Sequence, residues 1–524
     1  MIDLNPTPTY LLTGATGLLG RFILARLLKA RCEVAVLIRS TPQGSARQRL
    51  EEALAPREQS SWLPRPRVLT GDLAEDQLGL AHVDLKWLQS RRLCIVHCAA
   101  SIRFQRDEAT DEPYRTNVQG TQNILQFCEQ RQIEAFHYVS TAYVGSRTGG
   151  RPVRETLPSA ETVGGNDYER SKIISEQLVA ACTHVGAKTI HRPSIIVGDS
   201  QTGFTSTYHG FYAPLNIGYQ FAKQFGFVPE AGSWFRHQLG LEPHDTKNLV
   251  PVDWVAASIA QVVLTGPSKA SGPGEALILH WTNPQPVPCS GLQEAIAGAI
   301  ERAGAQSVLE GGRTAANVRK AAMLPNRNEF RQAMQVYESY FSSDPTFDDS
   351  QARALCPQLP CPQVDSALLQ KLADYAIAHK FGWPKTLAGQ LPHTRLTGLL
   401  KGFPPLQGSY GRSLLLCLLG AGAPESLGFA ESAGEWFALD VYNVCQSAQA
   451  ANRPAIVMTA TISTLADWFE GKTSLALAFE QGCCIMEGEL PETGLALLEQ
   501  WMEAVRSRMS PNLDNTKASQ RKST

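Results

Sequence analysis

Cysteine is scarce in this sequence, and neither sign of charge is in excess. The 524 residues include 12 cysteines without a C-x-x-C pair, which excludes a disulfide-rich scaffold. Cys356 and Cys361 are separated by four residues and have no histidine nearby, so we expect no metal site. Lys and Arg number 48 against 49 Asp and Glu. That balance argues against a nucleic-acid-binding protein.

Long apolar runs and targeting signals are also missing. The longest strongly apolar stretch, around 414–423, is shorter than the roughly 20 residues that span a bilayer. The opening MIDLNPTPTY lacks the basic segment and apolar core of a secretory signal. Together with the scattered cysteines, these features predict a cytoplasmic protein with free thiols and at most peripheral membrane contact.

What is present is a globular composition with a regular pattern. Hydrophobic residues make up 43% of the chain, and the length predicts two to four domains. Short apolar runs alternate with helical patterns from Thr9 to about Leu279, which predicts an α/β fold with a Rossmann-type, doubly wound parallel sheet. The predicted strands are 10–12, 33–38, 67–69, 93–96, 135–139, 188–190 and 276–279.

The alternation stops at Asn283-Pro284-Gln285-Pro286 and gives way to helical patterns. We therefore predict a first domain over 1–285, a helical extension over 286–395 and a smaller α+β domain over 396–510. The polar residues 511–524 are predicted to be a disordered tail. The helical extension could cover a bound substrate or act only as a packing element.

Three glycines follow the first predicted strand and open the first predicted helix. They would allow a tight turn, backbone access for a pyrophosphate and close helix packing, while the helix N-terminus offers free N–H groups to the phosphates. A glycine turn without a ligand is the alternative. The context favours a dinucleotide site formed by Thr13, Gly14, Thr16, Gly17, Leu18, Leu19 and Gly20.

The end of the second strand bears on the choice between NAD and NADP. Arg39 follows Ile38, and no carboxylate occurs before Arg47; arginine there accommodates a 2′-phosphate, whereas an acidic residue would bind the 2′-hydroxyl. The sequence therefore favours NADPH. Further cofactor contacts are predicted after the third and fourth strands, from an adenine-binding carboxylate and from small residues that let the cofactor approach: Asp72, Leu73, Ala99 and Ala100.

A tyrosine and a lysine four positions apart begin a later helix. Tyr168 and Lys172 would share one helical face, and an ammonium group beside a phenol would lower the phenol pKa and make it a general acid/base. Thr141, at the end of the fifth strand, could bond the same substrate oxygen. These three residues are the predicted catalytic set.

The run from TGATGLLG to YERSK resembles the extended short-chain dehydrogenase/reductase superfamily, and within it the fatty acyl-CoA and carrier-bound thioester reductases. The resemblance is carried by GDLAEDQLGL (71–80), VHCAASIRF (96–104), NVQGT (117–121), YVSTAYV (138–144), HRPSIIVG (191–198) and LVPVDWVA (249–256). It departs at Arg91 and Arg92, where the family often has an acidic residue.

The resemblance implies roles for further residues. Asn117 would support the lysine through a water molecule, and the loop at Arg192, with Pro193, Ser194 and Ile195, would contact the cofactor. It also implies NADPH-dependent reduction of an acyl thioester of coenzyme A or of an acyl-carrier protein, to an aldehyde or further to an alcohol. A dehydrogenase or epimerase of a sterol or nucleotide sugar remains an alternative, as does a non-enzymatic nucleotide-bound scaffold.

The C-terminal segment resembles the sterol carrier protein type 2 fold. Ile456–Ile462 alternates like a strand and is followed by a short helix, the apolar run 475–479 and a strand at 483–486. The resemblance implies an apolar tunnel that binds a lipid or acyl chain. An α/β domain used for dimerisation or docking is the alternative.

Overall fold

The computed structural model describes residues 8–41, 45–54, 63–145, 152–159, 161–225, 243–266, 275–309 and 343–382, together with five strands between 414 and 488. The chain divides into two compact units. The first comprises Met1–Ile38 and Val68–Lys385, and the second comprises Arg39–Arg67 and Thr386–Thr524.

Eleven strands are described in the first unit. They are β1 (Thr9–Thr13), β2 (Val34–Ile38), β3 (Arg67–Thr70), β4 (Leu93–His97), β5 (Ile133–Val139), β6 (Ala187–Pro193), β7 (Ile195–Val197), β8 (Thr246–Lys247), β9 (Leu249–Pro251), β10 (Ala276–Trp281) and β11 (Val287–Pro288). Seven of them form one sheet in the order β10-β6-β5-β4-β1-β2-β3. The pairs from β10 to β2 run parallel, which confirms the predicted Rossmann-like sheet.

Helices connect these strands. They are α1 (Leu18–Lys29), α2 (Ala46–Leu54), α3 (His82–Gln89), α4 (Gly120–Cys128), α5 (Asp167–Ala181), α6 (Tyr212–Phe225), α7 (Val252–Thr265), α8 (Cys289–Leu309), α9 (Ser350–Leu355) and α10 (Ser366–Ala378). All five residues of β1, β2 and β4 are buried. Helices pack on both faces of a parallel sheet, so its central strands are apolar throughout instead of alternating.

A second hydrophobic core lies beyond the carboxyl ends of the strands. It joins α6, α8 and α10 through buried residues that include Phe211, Leu292, Ile296 and Leu372. The segment 343–382 is therefore part of the first unit. The predicted division of the chain at residue 285 remains a prediction about domain boundaries.

The second unit contains α2 and a five-stranded mixed sheet. Its strands are β12 (Leu414–Leu419), β13 (Ser426–Phe429), β14 (Phe437–Asp440), β15 (Ile456–Thr461) and β16 (Cys484–Gly488), in the order β13-β14-β12-β15-β16. β12 runs parallel to β14 and β15, while both edge pairs are antiparallel. The predicted apolar run 475–479, the short helix near 465–469 and the tail 511–524 lie outside the described residues.

Among the described residues, no helix is both long enough and apolar enough to cross a membrane.

Candidate active site

A cavity of about 380 Å³ lies in the first unit, between the glycine-rich loop and the start of α5. Gly14, Gly17 and Leu19 line one part, and Thr141, Tyr168 and Lys172 line another. Ligands of open α/β sheets bind at the carboxyl ends of the strands, where β1 and β5 bring these two groups together. The glycine loop and the predicted catalytic set thus share one cavity.

The glycine loop packs tightly against the segment after β4. Gly14 has a φ of +74°, and a Cβ atom there would lie 2.6 Å from the Ala99 nitrogen. A Cβ atom on Gly20 would lie 2.0 Å from the Gly14 oxygen, whereas one on Gly17 would meet only that oxygen, at 3.3 Å. The loop is closed toward the sheet and more open at the N-terminus of α1. This shape fits a pyrophosphate bound at the helix end.

Thr13 holds the loop from beneath. Its hydroxyl oxygen lies 2.7 Å from His97 Nδ1 and accepts a hydrogen bond from the Ala99 backbone N–H at 3.1 Å. Burial, reinforced by the charge of Lys172, lowers the pKa of His97 to about 3. The imidazole is therefore neutral, and it stabilises the loop through its hydrogen bond with the Thr13 hydroxyl.

The Tyr168 phenol is the acid/base candidate in the cavity. It lines the cavity together with Thr141, and the Phe104 ring packs against it edge-on at 6.2 Å between ring centres. Burial, with the negative charge of Glu169, raises the pKa of Tyr168. The expectation of a lowered phenol pKa was wrong, because desolvation dominates here. The phenol is protonated at neutral pH and so can donate a proton.

Lys172 contacts the end of β5. Its Nζ donates hydrogen bonds to the Val139 carbonyl oxygen at 2.8 Å and to the Tyr138 hydroxyl at 3.2 Å. Burial lowers the pKa of Lys172 to about 8, and the nearby Cys98 and Glu176 oppose that shift. The ammonium form is thus the main form only below about pH 8.

Asn117 lies in a π-helical turn at Arg115–Gln119 and joins α5 to the loop after β4. Its side-chain nitrogen donates to the Ser101 carbonyl at 2.9 Å and to the Ser171 hydroxyl at 2.8 Å. Its backbone carbonyl accepts a hydrogen bond from the Ser175 hydroxyl at 2.7 Å. These bonds fix the first turns of α5, which carry Tyr168 and Lys172. The water-mediated role of Asn117 remains a prediction.

The structure separates the predicted cofactor residues into two groups. Those that line the cavity are Gly14, Gly17, Leu18, Leu19, Gly20, Ala100, Lys172, Pro193, Ser194 and Ile195. Those outside its lining are Thr13, Thr16, Asp72, Leu73 and Ala99. Arg39 belongs to the second unit.

Arg192 does not line this cavity, although the resemblance placed it in a cofactor-contacting loop. Its guanidinium forms a bidentate ion pair with Glu176, with N···O distances of 2.8 and 2.5 Å, and both side chains are buried. It also donates to the Thr156 carbonyl at 3.0 Å. Because these partners take up the guanidinium, Arg192 acts here as a structural residue that joins β6 to α5.

Several cavity residues were missed by sequence reasoning. Ser140 and Tyr143 flank Thr141 within YVSTAYV, and that position could have drawn attention to them. The buried hydroxyls of Ser140 and of Ser194, which was among the predicted cofactor residues, have no hydrogen-bond partner among the described residues. A further wall on α8 lies beyond the predicted boundary at residue 285, in the helical extension that was predicted either to cover a substrate or to act as packing, without any residue being named there.

Comparisons with known proteins agree with this geometry. A family described as Male sterility protein, an NAD-binding family, matches residues 12–259. A nonribosomal peptide synthetase from Aspergillus hancockii is 25% identical over 391 residues, covering 70% of this chain and 36% of that protein. The L-2-aminoadipate reductase large subunit of Penicillium chrysogenum is 29% identical over 287 residues, covering 51% and 19%. This chain thus spans little more than a third of these relatives at most.

Solved structures with the same fold include a two-domain protein. A thiolation-reductase di-domain from an archaeal non-ribosomal peptide synthetase superposes with a TM-score of 0.52 at 19% identity, covering 72% of this chain and 76% of that one. Residues 12–259 are thus similar to an NAD-binding family described as Male sterility protein, and the fold around the cavity is the one found in this di-domain.

Proposed function

We propose that this protein uses NADPH to reduce an acyl thioester to an aldehyde, or with a second hydride to an alcohol. The observation that carries the proposal is the shared cavity, which Tyr168 and Thr141 line together with the glycine loop. The rest of the argument concerns what these side chains do to a thioester carbonyl placed between them.

NADPH, when bound, supplies the hydride. The Tyr168 phenol, protonated because burial raises its pKa, donates a hydrogen bond and then a proton to the carbonyl oxygen. Thr141 offers a second hydroxyl to that oxygen, and preorganised donors in a buried site stabilise developing negative charge strongly. The ammonium of Lys172 adds positive charge nearby. Hydride on the carbonyl carbon and a proton on its oxygen give a hemithioacetal. When its C–S bond breaks, the hydroxyl proton passes to the departing sulfur, so the products are an aldehyde and a thiol.

The preference for NADPH rests on Arg39, which follows β2 directly. A guanidinium binds a phosphate with bidentate, charge-assisted hydrogen bonds. The absence of a carboxylate between Ile38 and Arg47 supports the same choice. Replacing Arg39 with Asp is expected to reverse the preference toward NADH.

A carrier-bound or coenzyme A-bound thioester is the proposed substrate class. The similarity to a thiolation-reductase di-domain supports a carrier protein as the donor of the acyl group. Free acyl-CoA shares the same pantetheine thioester, so a pantetheine surrogate tests the chemistry common to both.

We also propose that residues 396–510 form a lipid-binding domain similar to sterol carrier protein type 2. Two features support this: the apolar strand sequences and the mixed five-stranded sheet. Displacement of a fluorescent fatty acid by acyl-CoA and by a sterol tests it. Absence of any displacement would favour the docking alternative. A cytoplasmic location with peripheral membrane contact at most is part of this proposal.

The decisive experiment measures NADPH oxidation with acyl-pantetheine, acyl-CoA and acyl-carrier protein thioesters, and identifies the product. We expect an aldehyde or alcohol with stoichiometric thiol release. A sterol panel and a nucleotide-sugar panel run in the same assay. Turnover of either panel, with no thioester reduced, would overturn the proposal.

A further inference from the structure

One wall of the cavity is a single face of α8. The residues of α8 that line it are Cys289, Leu292, Gln293 and Ile296, at helical spacings i, i+3, i+4 and i+7. Such residues form one continuous stripe, and seven residues advance about 10 Å along a helix axis. The cavity therefore extends beside α8 for about two helical turns.

Other parts of the lining are also apolar. Phe211, Pro214 and Leu249 also line the cavity. Phe211, Leu249, Leu292 and Ile296 belong to the hydrophobic core that α10 completes with Leu372. Close-packed cores tolerate little added volume. These walls therefore restrict the shape of a ligand that can bind in the cavity.

Three polar side chains of the cavity lining are already engaged by the protein: Lys247, Tyr143 and Gln293. Lys247 pairs with Asp344 at 2.9 Å, and both side chains are buried. The Asp344 carboxylate also accepts the Tyr143 hydroxyl at 2.5 Å and the Asn248 backbone N–H at 2.8 Å. Gln293 likewise has partners within the protein. The surface left to a ligand beside the stripe is thus mainly hydrocarbon. His209 also lines the cavity, and burial lowers the pKa of its imidazole, which is therefore neutral near pH 7.

We propose that the stripe on α8 is the binding site for an unbranched or lightly branched aliphatic acyl chain, and that it limits the length of chain that gains affinity. This inference rests on the proposed thioester reductase function. An extended chain advances about 1.2 Å per bond, since three backbone bonds span about 3.6 Å. The stripe accordingly contacts about eight bonds of the chain.

The first test uses the unmodified protein and a series of saturated acyl-pantetheine thioesters from two to sixteen carbons. Each methylene group that enters the apolar wall is expected to raise kcat/KM about fourfold, from the transfer free energy of one CH₂ group. The gains should stop once about eight methylene groups are in contact. A flat profile from two carbons to sixteen, or a gain that continues to sixteen, would overturn the proposal.

The second test narrows the cavity by placing a larger side chain at Ile296, at the C-terminal end of the stripe. Ile296→Trp is expected to lower kcat/KM for the longest productive chains by on the order of tenfold or more, with short chains changed less than twofold. Ile296→Phe should act in the same direction with a smaller effect, and it remains informative if the tryptophan variant does not fold. Glu294→Trp is the matched control, because Glu294 lies on the exposed face of the same helix.

NADPH binding, measured by fluorescence titration, reports whether each variant is folded. Bound NADPH with no reduction of any thioester would contradict the proposed function itself. Equal losses for short and long chains in Ile296→Trp would contradict the chain site alone.

Discussion

The ammonium of Lys172 rests against the side chain of Tyr138, donating to its hydroxyl at 3.2 Å and lying 4.7 Å from the centre of its ring. Tyr138 is buried in β5, two residues before Ser140. The lysine therefore has a neutral aromatic partner in addition to the Val139 carbonyl. A phenol oxygen that accepts from the ammonium and a ring face beneath it both favour the charged form.

Tyr138→Phe keeps the ring and removes the hydrogen-bond acceptor. The pKa of Lys172, about 8 in this structure, should fall by roughly one unit, since an ammonium that loses about 1.5 kcal/mol of hydrogen bonding releases its proton more easily. If the reaction needs the ammonium, activity is lost as pH rises through this pKa. The alkaline limb of kcat/KM should therefore move to lower pH. Tyr10→Phe, which removes a hydroxyl from β1, should leave the limb in place.

Tyr168→Phe should reduce kcat by at least about a hundredfold, because the proton donor to the carbonyl oxygen is removed. NADPH affinity should change less than about twofold, as measured by fluorescence titration. Thr141→Val should also slow turnover, whereas Thr141→Ser retains a hydroxyl and should restore most of it. Full activity in Tyr168→Phe would remove the residue from the mechanism.

Gly17→Ala and Gly20→Ala separate cofactor binding from folding. The alanine at position 20 would place its Cβ atom 2.0 Å from the Gly14 oxygen, so we expect a large fall in Tm. The alanine at position 17 meets one oxygen at 3.3 Å and should fold, but it crowds the helix end that binds the pyrophosphate. Its dissociation constant for NADPH should rise about tenfold or more. Equal Tm losses in both variants would argue against this separation.

Arg192→Met should lower the free energy of unfolding by about 3–5 kcal/mol, because it leaves the Glu176 carboxylate buried without its partner. Combining it with Glu176→Leu should recover much of that loss. Chemical denaturation measures both. Greater stability of the single variant than of the double variant would show that the ion pair is not the cause.

The parts of the molecule that depend on local sequence could be predicted. The central strands β1, β2 and β4 are mostly apolar and fully buried because both faces of the parallel sheet are covered. The glycine loop and the Tyr168–Lys172 pair each lie within a short segment whose context predicted a shared site, and both line one cavity.

Features that depend on distant segments could not be predicted. The pKa of Tyr168 follows from burial, which arises only when Phe104 and the β5 end pack around the phenol. Arg192 belongs to the sequence motif HRPSIIVG, from which a cofactor contact was predicted. It lies in β6, however, and pairs with Glu176 from α5. The pairing of Lys247 with Asp344 joins residues 97 positions apart, and no periodicity in the sequence reports such a contact.

Glu155 connects parts of the chain that lie far apart in sequence. Its carboxylate accepts backbone N–H groups from His280 at 2.8 Å and from Gln351 at 2.6 Å and Ala352 at 3.2 Å, at the start of α9. A chimera that exchanged the module at residue 285 would strip this carboxylate of two donors and remove the α8 wall. A chimera that keeps the native chain through Gly382 retains both the backbone donors to Glu155 and the α8 wall. A domain exchange should therefore succeed at that later junction.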